Sequence, residues 1–136
     1  MPLSHTIVVH IDVPVEAARP YLSDPKNYAD WAAVVPASYR QLDNGDWAAE
    51  VRFGGTRHIR FSPPNEDGIL DHAVFRPGEE PLWMPMRAVA EGDGTELSFT
   101  FIQRPDMSEA AFRQAIESIT SDLNALKRVL EARFPT

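Results

Sequence analysis

The sequence predicts an α+β domain in which a curved antiparallel sheet wraps around one long C-terminal helix. Short runs with a period of two residues, separated by turn residues, fill the middle of the chain and are typical of antiparallel strands. The final segment changes to spacings of three and four residues, which are typical of an amphipathic helix. Such a helix can bury its apolar stripe only against the concave face of the sheet, so the sheet must curve.

The first predicted elements are one strand and two short helices. Residues 7–13 alternate between two faces, one of them fully apolar, which predicts a strand. Residues 15–22 are predicted as a short helix. Asp24 is the expected N-cap of a second short helix that starts at Pro25 and runs to about residue 32.

A run of about six further strands is predicted between turn signals. These strands span residues 38–42, 47–53, 57–61, 69–75, 82–90 and 96–103. Pro85 falls inside one of them and predicts an edge, a bulge or a bend. Together with Gly54 and Gly55 it is a candidate for bending the sheet. The expected sheet therefore contains about seven strands.

The last helix is predicted over about residues 108–133. Its apolar stripe consists of Phe112, Ile116, Ile119, Leu123, Leu126 and Leu130. Either Asp106 or Ser108 can cap its start, and Asp106 with Glu109 has the spacing of a capping box. A coiled coil is the alternative interpretation, but the apolar seam is too short to sustain one.

Composition and charge narrow the class of protein. The chain has 136 residues, so residues 1–136 are expected to form a single domain. The net charge of −7 and the absence of a Lys/Arg run disfavour nucleic acid and anionic membranes as partners. Disulfides and thiolate chemistry are excluded because the chain has no cysteine. No signal-peptide pattern and no apolar stretch of membrane-spanning length occur, so a cytoplasmic protein without membrane insertion is expected.

No metal site or cofactor is predicted. The four histidines are His5, His10, His58 and His72. They form no helical pair and no cluster with metal-ligand spacing. The sequence also lacks a nucleophile elbow and a phosphate-binding loop.

Several strings of the sequence share a family pattern. They are residues 13–14 followed by residues 23–31, residues 68–74, residues 85–89 with 92–97, and residues 107–109 with 122–127. In this order they resemble the START-like or Bet v 1-like superfamily (SRPBCC), and in particular bacterial polyketide cyclase/dehydrase-like members. The resemblance covers about residues 6–133. One departure is Asp106, where the family pattern has glycine.

The resemblance implies a helix-grip fold with a cavity between the sheet and the long helix. Members of the superfamily include lipid carriers, hormone receptors, aromatase/cyclases and chaperone partners. The family places the second short helix at the cavity entrance, which makes Trp31 a candidate for lining it. Packing in the core is the commoner role of tryptophan and remains the alternative.

The most specific site hypothesis concerns His72 and Arg87. With a turn centred near residues 92–94, Arg87 falls opposite Phe99 and faces inward together with Trp83. A preceding turn centred between residues 79 and 80 then places Arg87 opposite His72. The two side chains would form a polar pair on an apolar cavity wall and orient a ligand there.

In an enzyme this pair would have defined roles. Arg87 would donate to a carbonyl group or stabilise an enolate, and His72 would transfer a proton. The alternative interpretation is that Arg87 pairs with Asp71, Glu96 or a backbone carbonyl and only holds the sheet together. His72 and Arg87 are the catalytic candidates in the first case only.

The ligand-binding candidates are Trp31, Tyr39, Val51, His72, Trp83, Arg87, Phe99, Ile119 and Leu123. Arg57 shares the inward parity of Ile59 and Phe61, but as a residue at a strand end it is expected to be solvated.

Three functions remain open, because a fold alone does not select one. The first is a carrier that binds a hydrophobic or aromatic small molecule, such as a lipid, in the cavity. The second is a polyketide cyclase or aromatase that acts on a poly-keto substrate. The third is a protein-interaction module with a collapsed cavity. A monomer or weak homodimer is expected in each case.

Overall fold

The computed structural model describes residues 2–52 and 54–135. In chain order its elements are β1 (Ser4–Ile11), α1 (Val15–Leu22), β2 (Arg40–Gln41), β3 (Trp47–Glu50), β4 (Thr56–Phe61), β5 (His72–Phe75), β6 (Met86–Glu91), β7 (Gly94–Ile102) and α2 (Glu109–Arg133). Two 3-10 helices, Pro25–Asp30 and Pro36–Ser38, lie between α1 and β2. Phe53, the last residue of the predicted strand 47–53, lies outside the described residues. The predicted α+β class with a long C-terminal helix is confirmed.

The strands form two antiparallel ladders and not one continuous sheet. One ladder has the order β1-β7-β6 and the other the order β2-β3-β4-β5. The ladders meet at a seam, defined by the bridges of Ile69 with Arg87 and of His72 with Met84. The division follows from Pro85, which lies between the two bridged positions and has no N–H group for a ladder. The predicted strand 82–90 therefore begins only at Met86.

Four backbone hydrogen bonds hold the seam together. They are Leu70 N to Met86 O at 2.9 Å, His72 N to Met84 O at 3.3 Å, Met84 N to His72 O at 2.9 Å and Ala88 N to Gly68 O at 3.0 Å. Gly68 has a φ of +76°, and a Cβ atom there would lie 2.2 Å from the carbonyl oxygen of Ala88. Any larger residue at position 68 would therefore push the two ladders apart.

The apolar stripe of α2 packs against the three-stranded ladder and α1. Leu123, Leu126 and Leu130 are fully buried, and Phe112 is buried as well. Ile116 and Ile119, which belong to the same predicted stripe, are only partly buried. The prediction of one apolar face on this helix is thus confirmed, but its middle part is only partly covered by the core.

The helix caps follow local chemistry. Asp24 accepts a hydrogen bond from Lys26 N at 3.0 Å, which confirms its predicted capping role, although the helix that follows is a 3-10 helix. At the start of α2, Ser108 Oγ accepts from Ala111 N at 3.1 Å. The capping-box hypothesis for Asp106 is wrong, because α2 begins at Glu109 and Ser108 directly precedes it.

The register of β6 against β7 differs by one residue from the prediction. Glu91 pairs with Gly94, so only Gly92 and Asp93 lie in the turn. Phe99 consequently lies opposite Met86 and not opposite Arg87. The expected turn was one residue too long, and a shift of one residue exchanges the two faces of a strand.

The shifted register turns two candidate site residues outward. Arg87 and Trp83 were expected to face the helix, but the Trp83 side chain is exposed and Arg87 lies on the outer face. There the Arg87 guanidinium pairs with the carboxylate of Asp71, as the alternative interpretation had it. The predicted pairing of Arg87 with His72 is also wrong, because His72 bridges to Met84.

No helix in the described part of the chain is long and apolar enough to cross a membrane.

Candidate ligand-binding cavity

A cavity of about 780 Å³ lies between the two ladders and α2. This volume falls within the range of roughly 300 to 1,000 Å³ that is usual for small-molecule sites. Its apolar wall comprises Trp31, Val34, Val51, Ile59, Val74, Met84, Phe99, Phe101, Ile119 and Leu123. Exposed residues such as Ser108 and Gln114, near the start of α2, also line it, so the cavity reaches the protein surface there.

Six of the nine ligand-binding candidates line the cavity: Trp31, Val51, His72, Phe99, Ile119 and Leu123. Tyr39 lies one layer behind the wall, where its ring stacks on Trp47 at a centroid distance of 4.7 Å. The Tyr39 hydroxyl donates to the carbonyl oxygen of Pro25 at 2.5 Å, so this residue supports the wall from behind. Trp83 and Arg87 lie outside the lining because of the register described above.

His72 is buried in an aromatic cluster on the wall. Its ring centroid lies 5.7 Å from that of Tyr28, 5.8 Å from that of Phe61 and 5.6 Å from that of Phe99. Burial lowers the pKa of the His72 imidazole, and its hydrogen bond to Leu70 opposes this shift only in part. The neutral ring is therefore the dominant form at pH 7.

The hydrogen bond of His72 fixes its tautomer. Nδ1 lies 3.0 Å from the carbonyl oxygen of Leu70, and a carbonyl oxygen can only accept. In the neutral ring Nδ1 therefore carries the hydrogen, and Nε2 carries a lone pair. No group among the described residues hydrogen-bonds Nε2, so a proton acceptor is available on the cavity wall.

Asp122 brings a carboxyl group into the cavity from α2. Its Oδ2 accepts from Ala33 N at 3.3 Å. Burial raises the pKa of Asp122 to about 6, against smaller opposing effects of Ala33 N and Arg52. Sequence reasoning missed this residue, although one signal was available: Asp122 lies three positions after Ile119, on the edge of the apolar stripe.

Tyr28 was also missed by sequence reasoning. Its ring contacts Trp31 edge-to-face at 5.2 Å and lies 5.9 Å from Tyr39. Burial, and to a smaller extent the charge of Asp122, raises the pKa of the Tyr28 phenol above its ordinary range. No described group hydrogen-bonds its hydroxyl, so the hydroxyl remains available to a ligand.

Charged side chains gather in another part of the lining. We call Arg57, Arg76 and Arg104 the arginine cluster. Glu79 lies between two of its members, with Oε1 3.4 Å from Arg104 Nη1 and Oε2 3.8 Å from Arg76 Nη1. Arg104 also donates from Nη2 to the carbonyl oxygen of Val74 at 2.8 Å, which holds its guanidinium in place.

The expectation that Arg57 is solvated needs correction. Its side chain lines the cavity, and Nη1 donates to the carbonyl oxygen of Thr56 at 3.1 Å. Arg57 and Ile59 lie two positions apart on β4 and therefore point to the same, inner face. This holds although Arg57 lies near the start of the strand.

A side pocket of about 20 Å³ adjoins the cavity and shares Tyr28, Trp31 and His72 with it. Such a volume holds about one water molecule. Among residues 2–52 and 54–135, no group of three or more His, Cys, Asp or Glu side chains could hold a metal ion.

Comparisons with known proteins identify the fold. An aromatase/cyclase, Zhui from Streptomyces sp. R1128, superposes with a TM-score of 0.73 at 15% identity, over 98% of this chain and 96% of that one. An uncharacterised protein from Bacillus thuringiensis gives 0.73 at 14% identity, over 94% and 98%. Ara h 8.0201 gives 0.69 at 10% identity, over 97% and 99%. The chain has the START-like, or Bet v 1-like, fold.

This fold accounts for the position of the cavity, because α2 packs against the β1-β7-β6 ladder and leaves space between its partly buried Ile119 and the other ladder. No family model matches the sequence. No curated protein matches it either. The sequence identities to these three structures are only 10% to 15%, so the comparisons establish the fold alone. The function has to be inferred from the residues of the cavity.

Proposed function

We propose that this protein binds a hydrophobic or aromatic small molecule in the cavity between the ladders and α2. The observation that carries the proposal is an interior volume of about 780 Å³ with a largely apolar and aromatic wall. A few polar groups interrupt this wall, and such groups ordinarily orient a ligand. Three of them are His72 Nε2, the Tyr28 hydroxyl and the Asp122 carboxyl.

The size of the cavity argues against the interaction module with a collapsed interior. Large side chains could have filled the space, and Trp83 and Phe99 were the obvious candidates. Phe99 instead forms part of the wall, and Trp83 lies on the outside. The partly buried stripe residue Ile119, which lines the cavity, likewise gains apolar contacts if a ligand fills the space.

Tryptophan fluorescence tests the proposal directly, because the three tryptophans have different environments. Trp31 lines the cavity, Trp47 stacks behind it on Tyr39, and Trp83 is exposed. The protein is titrated with fatty acids, sterols, flavonoids and fused-ring polyketides. We expect saturable quenching by at least one class in the wild type and in Trp83→Phe, and a much smaller change in Trp31→Phe.

Two results would contradict the proposal. The first is the absence of any response to all four classes. The second is quenching that survives in Trp31→Phe but disappears in Trp83→Phe, because this would place the ligand on the outer surface. Circular dichroism of both variants confirms that the comparison is made between folded proteins.

A polyketide cyclase or aromatase is the second candidate function. Two observations favour it: the unbonded Nε2 of neutral His72, and the Asp122 carboxyl with its pKa of about 6. In an aldol-type cyclisation, His72 would accept the α-proton of a poly-keto chain, and the enolate carbon would form a bond to a second carbonyl carbon. Protonated Asp122 would then donate to the resulting alkoxide.

His72→Asn separates this candidate from a carrier. The amide of asparagine can replace Nδ1 as donor to Leu70 O, but it has no counterpart of Nε2. A cyclase would lose turnover of a poly-β-keto thioester in this variant while it still bound the substrate. If the wild type forms no cyclic product from the thioester above the rate in buffer, the cyclase candidate is rejected and the carrier proposal is unaffected.

A further inference from the structure

We infer that the ligand of this cavity is an amphipathic carboxylate, with its carboxylate at the arginine cluster and its apolar body against the aromatic wall. This inference rests on the proposed function and specifies the class of ligand. It is carried by the position and charge balance of Arg57, Arg76 and Arg104 within the lining.

The arginine cluster belongs to the cavity lining and not to a remote surface. All three side chains line it together with Glu79. The side chain of Arg104 is only 15% exposed, and Arg57 is partly buried. A ligand that fills the cavity therefore comes within reach of guanidinium groups without any rearrangement of the backbone.

The charges of the lining do not cancel at the cluster. At the cluster, Glu79 is the carboxylate that forms ion pairs with Arg76 and Arg104. The other two lining carboxylates are those of exposed Asp106 and of Asp122 on α2. Burial and the charges of Arg76 and Arg104 lower the pKa of Arg57, against the opposing effect of Glu79. The cationic surplus stands out because the whole chain carries a net charge of −7. A ligand carboxylate would relieve the repulsion among the three cations.

The geometry of guanidinium favours a carboxylate in particular. An arginine side chain has five N–H donors in a planar fork that matches two carboxylate oxygens. Arg104 already uses this chemistry toward Glu79 and toward the carbonyl oxygens of Val74 and Glu80. Arg104 therefore positions the cluster, and the ligand carboxylate is expected to reach Arg57 and Arg76, which line the same cavity.

Asp122 gives the bound ligand a direction. It lies roughly 20 Å along the helix axis from the N-cap Ser108, since each helical residue rises about 1.5 Å. Arg104 lies four positions before Ser108 in the sequence. An ionised Asp122 repels an anion at its own end of the cavity, and it can accept a hydrogen bond from a hydroxyl group of the ligand. The end of the cavity at the arginine cluster thus favours an anionic group, and the end at Asp122 favours an uncharged hydroxyl group.

A matched pair of probes tests the inference: 2-naphthoic acid and 2-naphthamide. They share the aromatic body and differ in charge at pH 7. Isothermal titration of the full chain gives both affinities. We expect the acid to bind about tenfold or more tightly than the amide, because a hydrogen bond to a charged group is the stronger one.

Three variants test whether the preference for the acid over the amide comes from the arginine cluster. Arg57→Gln and Arg76→Gln each remove one cation from it, and Arg76 is exposed, so its loss does not threaten folding. Arg128→Gln is the control for net charge, because Arg128 is exposed on α2 and does not line the cavity. We expect both cluster variants to weaken binding of the acid several-fold and to leave the amide unchanged. The control should change neither affinity.

Each remaining outcome overturns the inference. If acid and amide bind equally, the carboxylate preference is wrong while the proposed function stands. The same holds if the acid is preferred but Arg128→Gln weakens it as much as Arg76→Gln does. If neither probe binds although the fluorescence titration shows a ligand, the inference fails and the proposed function stands. If the fluorescence titration also shows no ligand, both fail.

Discussion

Met86 lies directly opposite Phe99 across the ladder of β6 and β7, and both side chains are buried. At the beginning of β6, this pairing turns the side chains of Met86 and Ala88 toward the interior. Arg87, between Met86 and Ala88, consequently lies on the outer face with Asp71. Arg87 and Asp71 are expected to contribute differently to the free energy of unfolding, which leads to the first prediction.

Arg87→Ala should have a small effect on stability, and Asp71→Ala a larger one. The Arg87 side chain is 43% exposed, and pairs of this kind contribute about 1 kcal/mol or less. Asp71 Oδ1 also accepts from Met86 N at 2.9 Å, so its removal leaves a backbone donor at the seam unsatisfied, at a cost of about 1–3 kcal/mol. Urea denaturation measures both free energies of unfolding. Equal losses in the two variants, or loss of ligand binding in Arg87→Ala, would contradict this assignment.

Asp122→Asn should stabilise the protein at neutral pH but not in acid. The folded-state pKa of about 6 lies above the ordinary value of 3.8, so Asp122 favours the folded state most below pH 4 and loses this contribution as the pH rises through about 6. The shift corresponds to about 3 kcal/mol, and partial exposure to solvent reduces the expected effect to about 1–2 kcal/mol.

The measurement is the difference in unfolding free energy between Asp122→Asn and the wild type from pH 4 to pH 8. The asparagine oxygen can still accept from Ala33 N, so the hydrogen bond to the 33–34 segment is retained. We expect the difference to grow between pH 4 and about pH 6 and to level off above it. A difference that is constant over this range would show that Asp122 has an ordinary pKa.

Ser108→Ala should destabilise α2, whereas Asp106→Ala should not. Ser108 Oγ accepts from Ala111 N at 3.1 Å, and loss of an N-cap of this type costs about 1 kcal/mol. Asp106 is exposed, and its substitution should change stability by no more than about 0.5 kcal/mol. Thermal unfolding followed by circular dichroism distinguishes the two. The reverse order would mean that the capping box predicted from the sequence forms after all.

Leu126→Ala and Ile119→Ala probe the two parts of the α2 stripe. Leu126 is fully buried in the core, and its truncation should cost about 2–5 kcal/mol. Ile119 borders the cavity, so its truncation removes fewer contacts and should cost only about 1 kcal/mol. Chemical denaturation of the protein without added ligand gives both values. A similar cost at both positions would mean that the cavity is closed around Ile119.

Local periodicity determined how much of the fold could be predicted. The alternation in residues 7–13 and the stripe of α2 each give one face to the core, so strand β1 and helix α2 follow from the sequence alone. The register of β6 did not follow, because the string Gly92-Asp93-Gly94 is compatible with turns of two and of three residues. Pairing with β7, a nonlocal interaction, selects the shorter turn.

The sequence predicts those site residues whose inward direction depends only on the alternation within one strand. His72 and Phe99 have inward parity on their own strands and line the cavity. Asp122 and Tyr28 acquire their properties from partners far along the chain, and a local pattern does not reveal these. Asp122 meets Ala33 only after α2 has packed across the ladders, and Tyr28 meets His72 only across the wall of the cavity.

The seam between the ladders has a consequence for how a molecule could enter and leave. Four backbone hydrogen bonds join the ladders there, while the core of β1, β7 and α2 contains the fully buried leucines. Transient loss of these bonds would give a guest a second route besides the opening near the start of α2, so the lifetime of a complex would reflect local opening and not global stability.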